Sequence, residues 1–229
     1  MSDQLNPPKE PSSTRLIVSM AVAGFISGLV IIGIYDITFD TIKANKAREL
    51  REAVFKVLPG VANLQALRFD NGALNIIASE AADEKTIYGG YSQDGAFIGY
   101  AIPNGGPGFQ DTIRLLYGYL PDKRQVVGMK ILESRETPGL GDKIYKDAEF
   151  VANFRQLAID PKIVAVKKGK KILPNEVDTI TGATISAKAV VKIINAAITT
   201  WAPRLPKPGV EPGLIKATDN KEDPNSTLK

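Results

Sequence analysis

Thr112-Ile113-Arg114-Leu115-Leu116-Tyr117-Gly118-Tyr119-Leu120 is followed by Pro121-Asp122-Lys123-Arg124 and then by Gln125-Val126-Val127-Gly128-Met129-Lys130-Ile131-Leu132. Two runs rich in β-branched, aliphatic and aromatic residues, separated by four residues that open on proline, read as a β-hairpin. Upstream, residues 85–92 and 97–102 repeat the strand pattern, with Asn71-Gly72 and Asp94-Gly95 as further turn signals. Downstream, residues 147–157 follow a helical pattern, and 163–166 and 171–173 flank the basic turn Lys167-Lys168-Gly169-Lys170, read as a solvated hairpin tip. In residues 186–201, Val190, Ile194, Ala197 and Trp201 fall at helical spacing and predict a helix with one face on the sheet. The fold expected is α/β of the α+β kind, a twisted, mainly antiparallel sheet with flanking helices.

N-terminal to this domain, residues 16–35 read LIVSMAVAGFISGLVIIGIY without a charge, between Arg15 and Asp36. Twenty residues at about 1.5 Å each cross a hydrocarbon layer of roughly 30 Å once. Ala21-Val22-Ala23 has the look of a signal-peptidase site, but only Leu16 to Met20 of the apolar run precede it and the run continues beyond, which favours an uncleaved anchor. Gly24, Gly28 and Gly33 weaken a soluble helix and are accepted in membrane helices. Residues 37–60 carry Phe39, Ile42, Leu50, Val54, Val57 and Leu58 among charges, an amphipathic helical connector that stops at Pro59-Gly60. The expected organisation is an N-terminal tail (1–15), a membrane helix (16–36), the connector (37–60), a folded domain (61–201) and a proline-rich tail (202–229), draped on a partner or disordered. Lys9 and Arg15 precede the span, whereas Lys43, Lys46, Arg48 and Arg51 follow it, so the flanking charges leave its orientation open.

A net charge of +4, spread along the chain, excludes a nucleic-acid footprint. The chain has neither cysteine nor histidine. Disulfides, iron–sulfur ligation, thiol nucleophiles, imidazole bases and the Ser-His-Asp triad are therefore excluded. Chemistry performed here has to be brought in by a cofactor.

Asn104-Gly105-Gly106-Pro107-Gly108 matches neither phosphate-loop pattern and is expected to be a flexible surface loop. Glu136-Thr137-Pro138-Gly139-Leu140-Gly141 follows a predicted strand, and its glycines allow a sharp turn and a close approach of the backbone to a flat partner. Asp178-Thr179-Ile180-Thr181-Gly182-Ala183-Thr184-Ile185-Ser186 is a turn of small residues leading into the last helix. A helix N-terminus attracts an anion, phosphate above all. From composition alone an ordinary helix cap by Thr181, Thr184 or Ser186 is the preferred reading of the same residues.

Asp178-x-x-Thr181-Gly182-Ala183-Thr184 resembles the flavinylation motif of FMN-binding domains, and Thr137-Pro138-Gly139-Leu140-Gly141 resembles their second signature. The motifs, their order, the single N-terminal span and the length are similar to the G-subunit family of Rnf (Rsx) ion-translocating electron-transport complexes. The C subunit of the sodium-pumping NADH:quinone reductase is the related alternative. The resemblance implies FMN joined to Thr184 by a phosphoester bond, with Asp178, Thr181, Gly182, Ala183 and Ser186 around the attachment point. It implies the isoalloxazine ring against Glu136, Thr137, Pro138, Gly139, Leu140 and Gly141, with Lys143 or Lys188 near the phosphate. It further implies attachment by an external flavin transferase of the ApbE type and a position on the periplasmic side of the bacterial inner membrane, in contact with lipid. The implied role is an electron relay whose partner subunits, among them a second flavin-bearing membrane subunit and iron–sulfur subunits, supply NADH binding and the ion path. The competing class is a membrane-anchored scaffold domain without redox function, and a third reading is a flavin-dependent sensor or reductase acting alone.

Overall fold

The computed structural model describes residues 12–77 and 86–214. Its first helix, α1 (Ser13–Val57), is 45 residues long, so the predicted membrane segment and connector are one uninterrupted element. The first compact unit ends at Lys46 and the second begins at Ala47. In the first, no residue of the most apolar stretch of α1 is buried, and this is the one helix among the described residues long and apolar enough to cross a membrane.

The second unit is built on a seven-stranded, wholly antiparallel sheet. Its strands are β1 (Asn63–Asp70), β2 (Ala73–Ile76), β3 (Thr86–Tyr91), β4 (Phe97–Pro107), β5 (Thr112–Leu120), β6 (Gln125–Glu133) and β7 (Leu157–Ala158), in the spatial order β2-β1-β3-β4-β5-β6-β7. Lys85, expected to open the third strand, lies outside the described residues. The predicted hairpin is β5–β6, with Tyr117 opposite Met129 and Gly118 opposite Gly128. Alternation along the strands divides the core in two. Tyr100, Ile102, Leu115 and Tyr117 face the last helix, α4 (Thr184–Trp201), while Ala101 and Leu116 face the end of α1.

The end of α1 covers its face through Leu50, Ala53, Val54 and Val57 at helical spacing. Gly118 and Gly128 lie under the Val57 main chain, where a Cβ on Gly128 would stand 2.6 Å from the carbonyl oxygen. Phe39 and Ile42, counted in the same stripe from sequence, are 48% and 45% exposed. They belong to the first unit, which has no sheet to pack on, and the packed stripe starts at Leu50.

Four further expectations need correction. Residues 104–107 are not a loop: they complete β4, paired from Asn104 with Leu115 to Pro107 with Thr112. The glycines there mark close packing, since a Cβ on Gly106 would lie 2.8 Å from Ile193 of α4, and the Asn104 side chain donates to the Ile193 carbonyl at 2.9 Å. Residues 147–157 do not form one helix. After the single turn of α2 (Lys143–Lys146), α3 (Ala148–Ala152), capped by Asp147, ends early, because Leu157 is needed opposite Val126 at the sheet edge. Residues 163–173 are not a hairpin either: β8 (Val164–Val166) pairs in parallel with β9 (Glu176–Asp178). The Glu176 carboxylate instead accepts the backbone N–H groups of Ile172 and Leu173 at 2.7 and 2.9 Å, which takes them out of any ladder. Finally, the tail folds back on its own domain as far as Leu214. Arg204 lies over Phe69 and Trp201, Leu205 joins the core, and the Tyr91 hydroxyl donates to the Pro212 carbonyl. Residues 215–229 of that tail, and 1–11 of the N-terminal one, lie outside the described residues.

Candidate functional site

β9 delivers Asp178 to the edge of a tight turn. Gly182 sits at φ +83°, a region open to glycine at little cost, and the Ala183 N–H returns to the Ile180 carbonyl at 3.0 Å. α4 then starts at Thr184. Ala183 occupies its N-cap position and no side chain caps the helix. The hydroxyls suited to that task are engaged elsewhere: Thr184 donates to the Ile180 carbonyl at 3.2 Å, and Ser186 donates to Glu136. An 18-residue helix therefore presents a positive, uncapped end beside an exposed threonine.

In front of that end lies a cleft of about 430 Å³, lined among others by Lys167, Lys168, Thr181, Gly182, Thr184 and Lys188. Lys167 and Lys188, with Lys168 paired to Glu149 at 2.9 Å, join a helix N-terminus and a hydroxyl in a lining suited to an anionic phosphodiester. A phosphate-bearing cofactor fits these residues. Lys143 does not line the cleft. The basic turn is exposed, as charge patterning implied, and it brings Lys167 and Lys168 to this opening. Asp178 holds it there, its Oδ1 accepting the backbone N–H groups of Lys170 and Lys171, each at 3.1 Å. A run of lysines around a glycine, upstream of a phosphate-type turn, was the available signal. What sequence lacked was the parallel β8–β9 pairing that brings the two segments side by side.

The second motif reaches the same place from β6. The Leu140 N–H bonds back to the Thr137 carbonyl at 3.1 Å with Gly139 at φ +77°, which leaves Pro138, Gly139 and Leu140 exposed, Leu140 by 51%. Such an apolar tip is a surface on which a flat ring can lie. Thr137 Oγ1 contacts the Gln110 side-chain oxygen at 3.4 Å.

Glu136, 6% exposed, turns inward. One oxygen accepts the backbone N–H groups of Phe109 and Gln110 at 2.8 and 3.0 Å, and the other accepts the Ser186 hydroxyl. Burial opposes its charge, but the Ser186 hydroxyl and the N–H groups of Gln110, Phe109 and Asp111 outweigh it and hold its pKa below the ordinary glutamate value. Gly108 and Gly141 leave the room for this carboxylate: a Cβ on Gly141 would lie 2.8 Å from the Glu136 Cβ and 3.0 Å from Ser186 Oγ. The two motifs are thus joined through Glu136 and Ser186, with Thr184 and Leu140 both exposed and each within four residues of that junction.

Residues 108–199 match the model of the FMN-binding domain family. Among curated proteins, the chain is 29% identical to the G subunit of the ion-translocating oxidoreductase complex of Methanosarcina acetivorans, over 81% of this chain and 92% of that one. It is 34% identical to the protein of the same name from Haemophilus influenzae, over 73% and 81%. It is 29% identical to the G subunit of the proton-translocating ferredoxin:NAD(+) oxidoreductase complex of Clostridium ljungdahlii, over 79% and 86%. Among solved structures, the C subunit of the Na(+)-translocating NADH-quinone reductase of Parabacteroides distasonis superposes with a TM-score of 0.59 at 20% identity, over 72% of this chain and 94% of that one, a likeness of fold.

Proposed function

The chain belongs to the G-subunit family of ion-translocating oxidoreductase complexes, and from that premise we propose that it is a membrane-anchored electron relay carrying FMN on Thr184 through a phosphoester bond. The observation that carries the reading is the uncapped start of α4, where the exposed Thr184 hydroxyl faces a cleft lined by Lys167, Lys168 and Lys188. Bound flavin supplies one- and two-electron redox capacity that no side chain of this chain has.

The protein's own residues do the rest. The α4 N-terminus and the lysines favour the single negative charge of a phosphodiester, the helix end contributing about 0.3–1 kcal/mol. Leu140 and the exposed backbone of residues 138–140 offer the ring an apolar seat, and the buried Glu136–Ser186 contact fixes the distance between seat and anchor. A threonine hydroxyl is a weak nucleophile and the chain has no histidine to act as base, so attachment requires an external flavin transferase of the ApbE type. Exposure of Thr181, Gly182 and Thr184 gives such an enzyme access. The family premise supports a role beside the other subunits of a ferredoxin:NAD-type complex, with α1 in lipid and the flavin domain on the periplasmic side; the flanking charges do not decide that side.

Coexpression with the transferase followed by intact-mass measurement tests the attachment. The chain gains the mass of one FMN less one water, Thr184→Val abolishes the gain, and Thr181→Val retains at least part of it. An unshifted wild-type mass overturns the covalent reading. Flavin-free protein that assembles and supports full electron transfer would establish the scaffold reading instead.

A further inference from the structure

On the side of the sheet opposite β5, strand β6 is left open. β7 pairs only with Gln125 and Val126, and among the described residues no strand pairs with 127–133 on that side. Native proteins rarely leave such an edge unprotected, because its backbone groups form a template for another strand. Here the edge carries no proline and runs along the floor of a cleft of about 700 Å³. The cleft has two walls. Lys56 and Pro59, at the end of α1, form one; Ile144, Tyr145, Val151 and Arg155, from α2 and α3 and the turn after it, form the other. From Met129 to Leu132 the side chains of β6 alternate, Met129 and Ile131 packing with the α4 face and Leu132 with the α1 face, while register shifts in the pairing with β5 fall at Val127, also on the α1 face, and at Leu132. An added strand, whose side chains also alternate, would set one row against each wall.

The charge around the slot selects the occupant. Its lining includes Lys56, Lys130 and Arg155 against the single acid Glu133. We propose that the open edge of β6 is a strand-addition site that receives an extended, acidic and apolar segment of another subunit of the complex. The proposal rests on the chain being a complex subunit and is independent of how the flavin is attached. The site lies on the edge strand, and its lining shares no residue with the cleft in front of Thr184, so a partner can dock without covering the attachment point.

The test uses the assembled complex and the full-length chain alone in detergent. Backbone amides of residues 127–133 exchange slowly in the complex and faster in the isolated chain. A photo-crosslinking phenylalanine analogue at Lys130 captures an Asp- or Glu-bearing segment of a different subunit. Joint reversal by Lys56→Glu, Lys130→Glu and Arg155→Glu weakens retention in the complex roughly tenfold, while intact mass reports unchanged flavin loading and circular dichroism an unchanged fold. Equal exchange in both states, or a crosslink to a second copy of this chain, to lipid, or to a segment without acidic residues, overturns the proposal. Should the triple variant misfold, exchange and crosslinking on the otherwise native chain decide alone. Loss of flavin from the wild type would refute the attachment reading and leave this one standing.

Discussion

The hydroxyl of Ser186, in the first turn of α4, donates to the carboxylate of Glu136, fifty residues earlier at the end of β6, and both side chains are buried. This contact turns two separate sequence motifs into one site. Glu136 also collects the Phe109 and Gln110 N–H groups, so three chain segments converge on one negative charge.

Glu136→Gln should therefore destabilise the domain by about 1–3 kcal/mol at neutral pH, the range for losing hydrogen bonds to a buried charged group. The pH dependence has a definite sign. Because the folded pKa lies below the ordinary value of 4.5, the Glu136 contribution is complete above that value and disappears as pH falls through the lowered folded pKa. Urea denaturation between pH 7 and 3 should show wild type and Glu136→Gln converging on the acid side. A constant difference across the range would show that the carboxylate is not held in its charged form.

Gly118→Ala should destabilise by about 1–3 kcal/mol, an overpacking cost, since its Cβ would strike the Val57 carbonyl. The obstacle is main chain and has no rotamer with which to move aside. Thermal unfolding of the two proteins checks it. Gly72→Ala, a site with nothing within 4 Å, serves as the control for backbone strain alone, as its φ is +83°.

Asp178 is placed to hold the lysine turn. Asp178→Ala frees two N–H groups and loosens the turn that carries Lys167 and Lys168, so transferase-dependent flavin loading, followed by mass against time, should slow several-fold. Asp178→Asn keeps an acceptor oxygen and should load close to the wild-type rate. Equal slowing in both variants would instead point to recognition of the carboxylate by the transferase.

Tyr91→Phe should loosen the folded-back tail. The lost hydrogen bond to Pro212 is worth about 0.5–1.5 kcal/mol. Burial, with Glu211 nearby, pushes the Tyr91 hydroxyl up from 10.0 to about 12. A raised folded pKa means that this stabilisation is complete below pH 10 and is lost as pH rises through about 12. Limited proteolysis C-terminal to Trp201 should be faster in the variant at pH 8, and the gap should close at high pH.

Periodicity and turn chemistry were enough for the hairpin of β5 and β6, the last helix and the membrane segment, because each is set by contacts close in sequence. The same local logic failed where a long-range partner intervened. Gly105 and Gly106 look like loop residues until Ile193 is seen packed over the strand, and Leu157 looks helical until Val126 claims it. The lysine turn was misjudged for a related reason. Its residues are exposed, as their charges implied, but the hairpin reading fails: a parallel pair of strands that neither segment announces carries Lys167 and Lys168 to the cleft beside Thr184.

Sequence by itself determined the chemistry available to this protein. With no histidine and no cysteine, thiol and imidazole chemistry are excluded, and redox capacity has to be borrowed from a bound cofactor. Tertiary structure alone decided what surrounds the Thr184 hydroxyl. Ser186 turns inward to Glu136, which leaves α4 uncapped, and Asp178 commits its carboxylate to a backbone turn, which brings the lysines to face the open helix end. The first outcome depends on which buried polar group finds which partner across fifty residues, the second on the parallel pairing of β8 with β9, and neither is settled until those segments pack together.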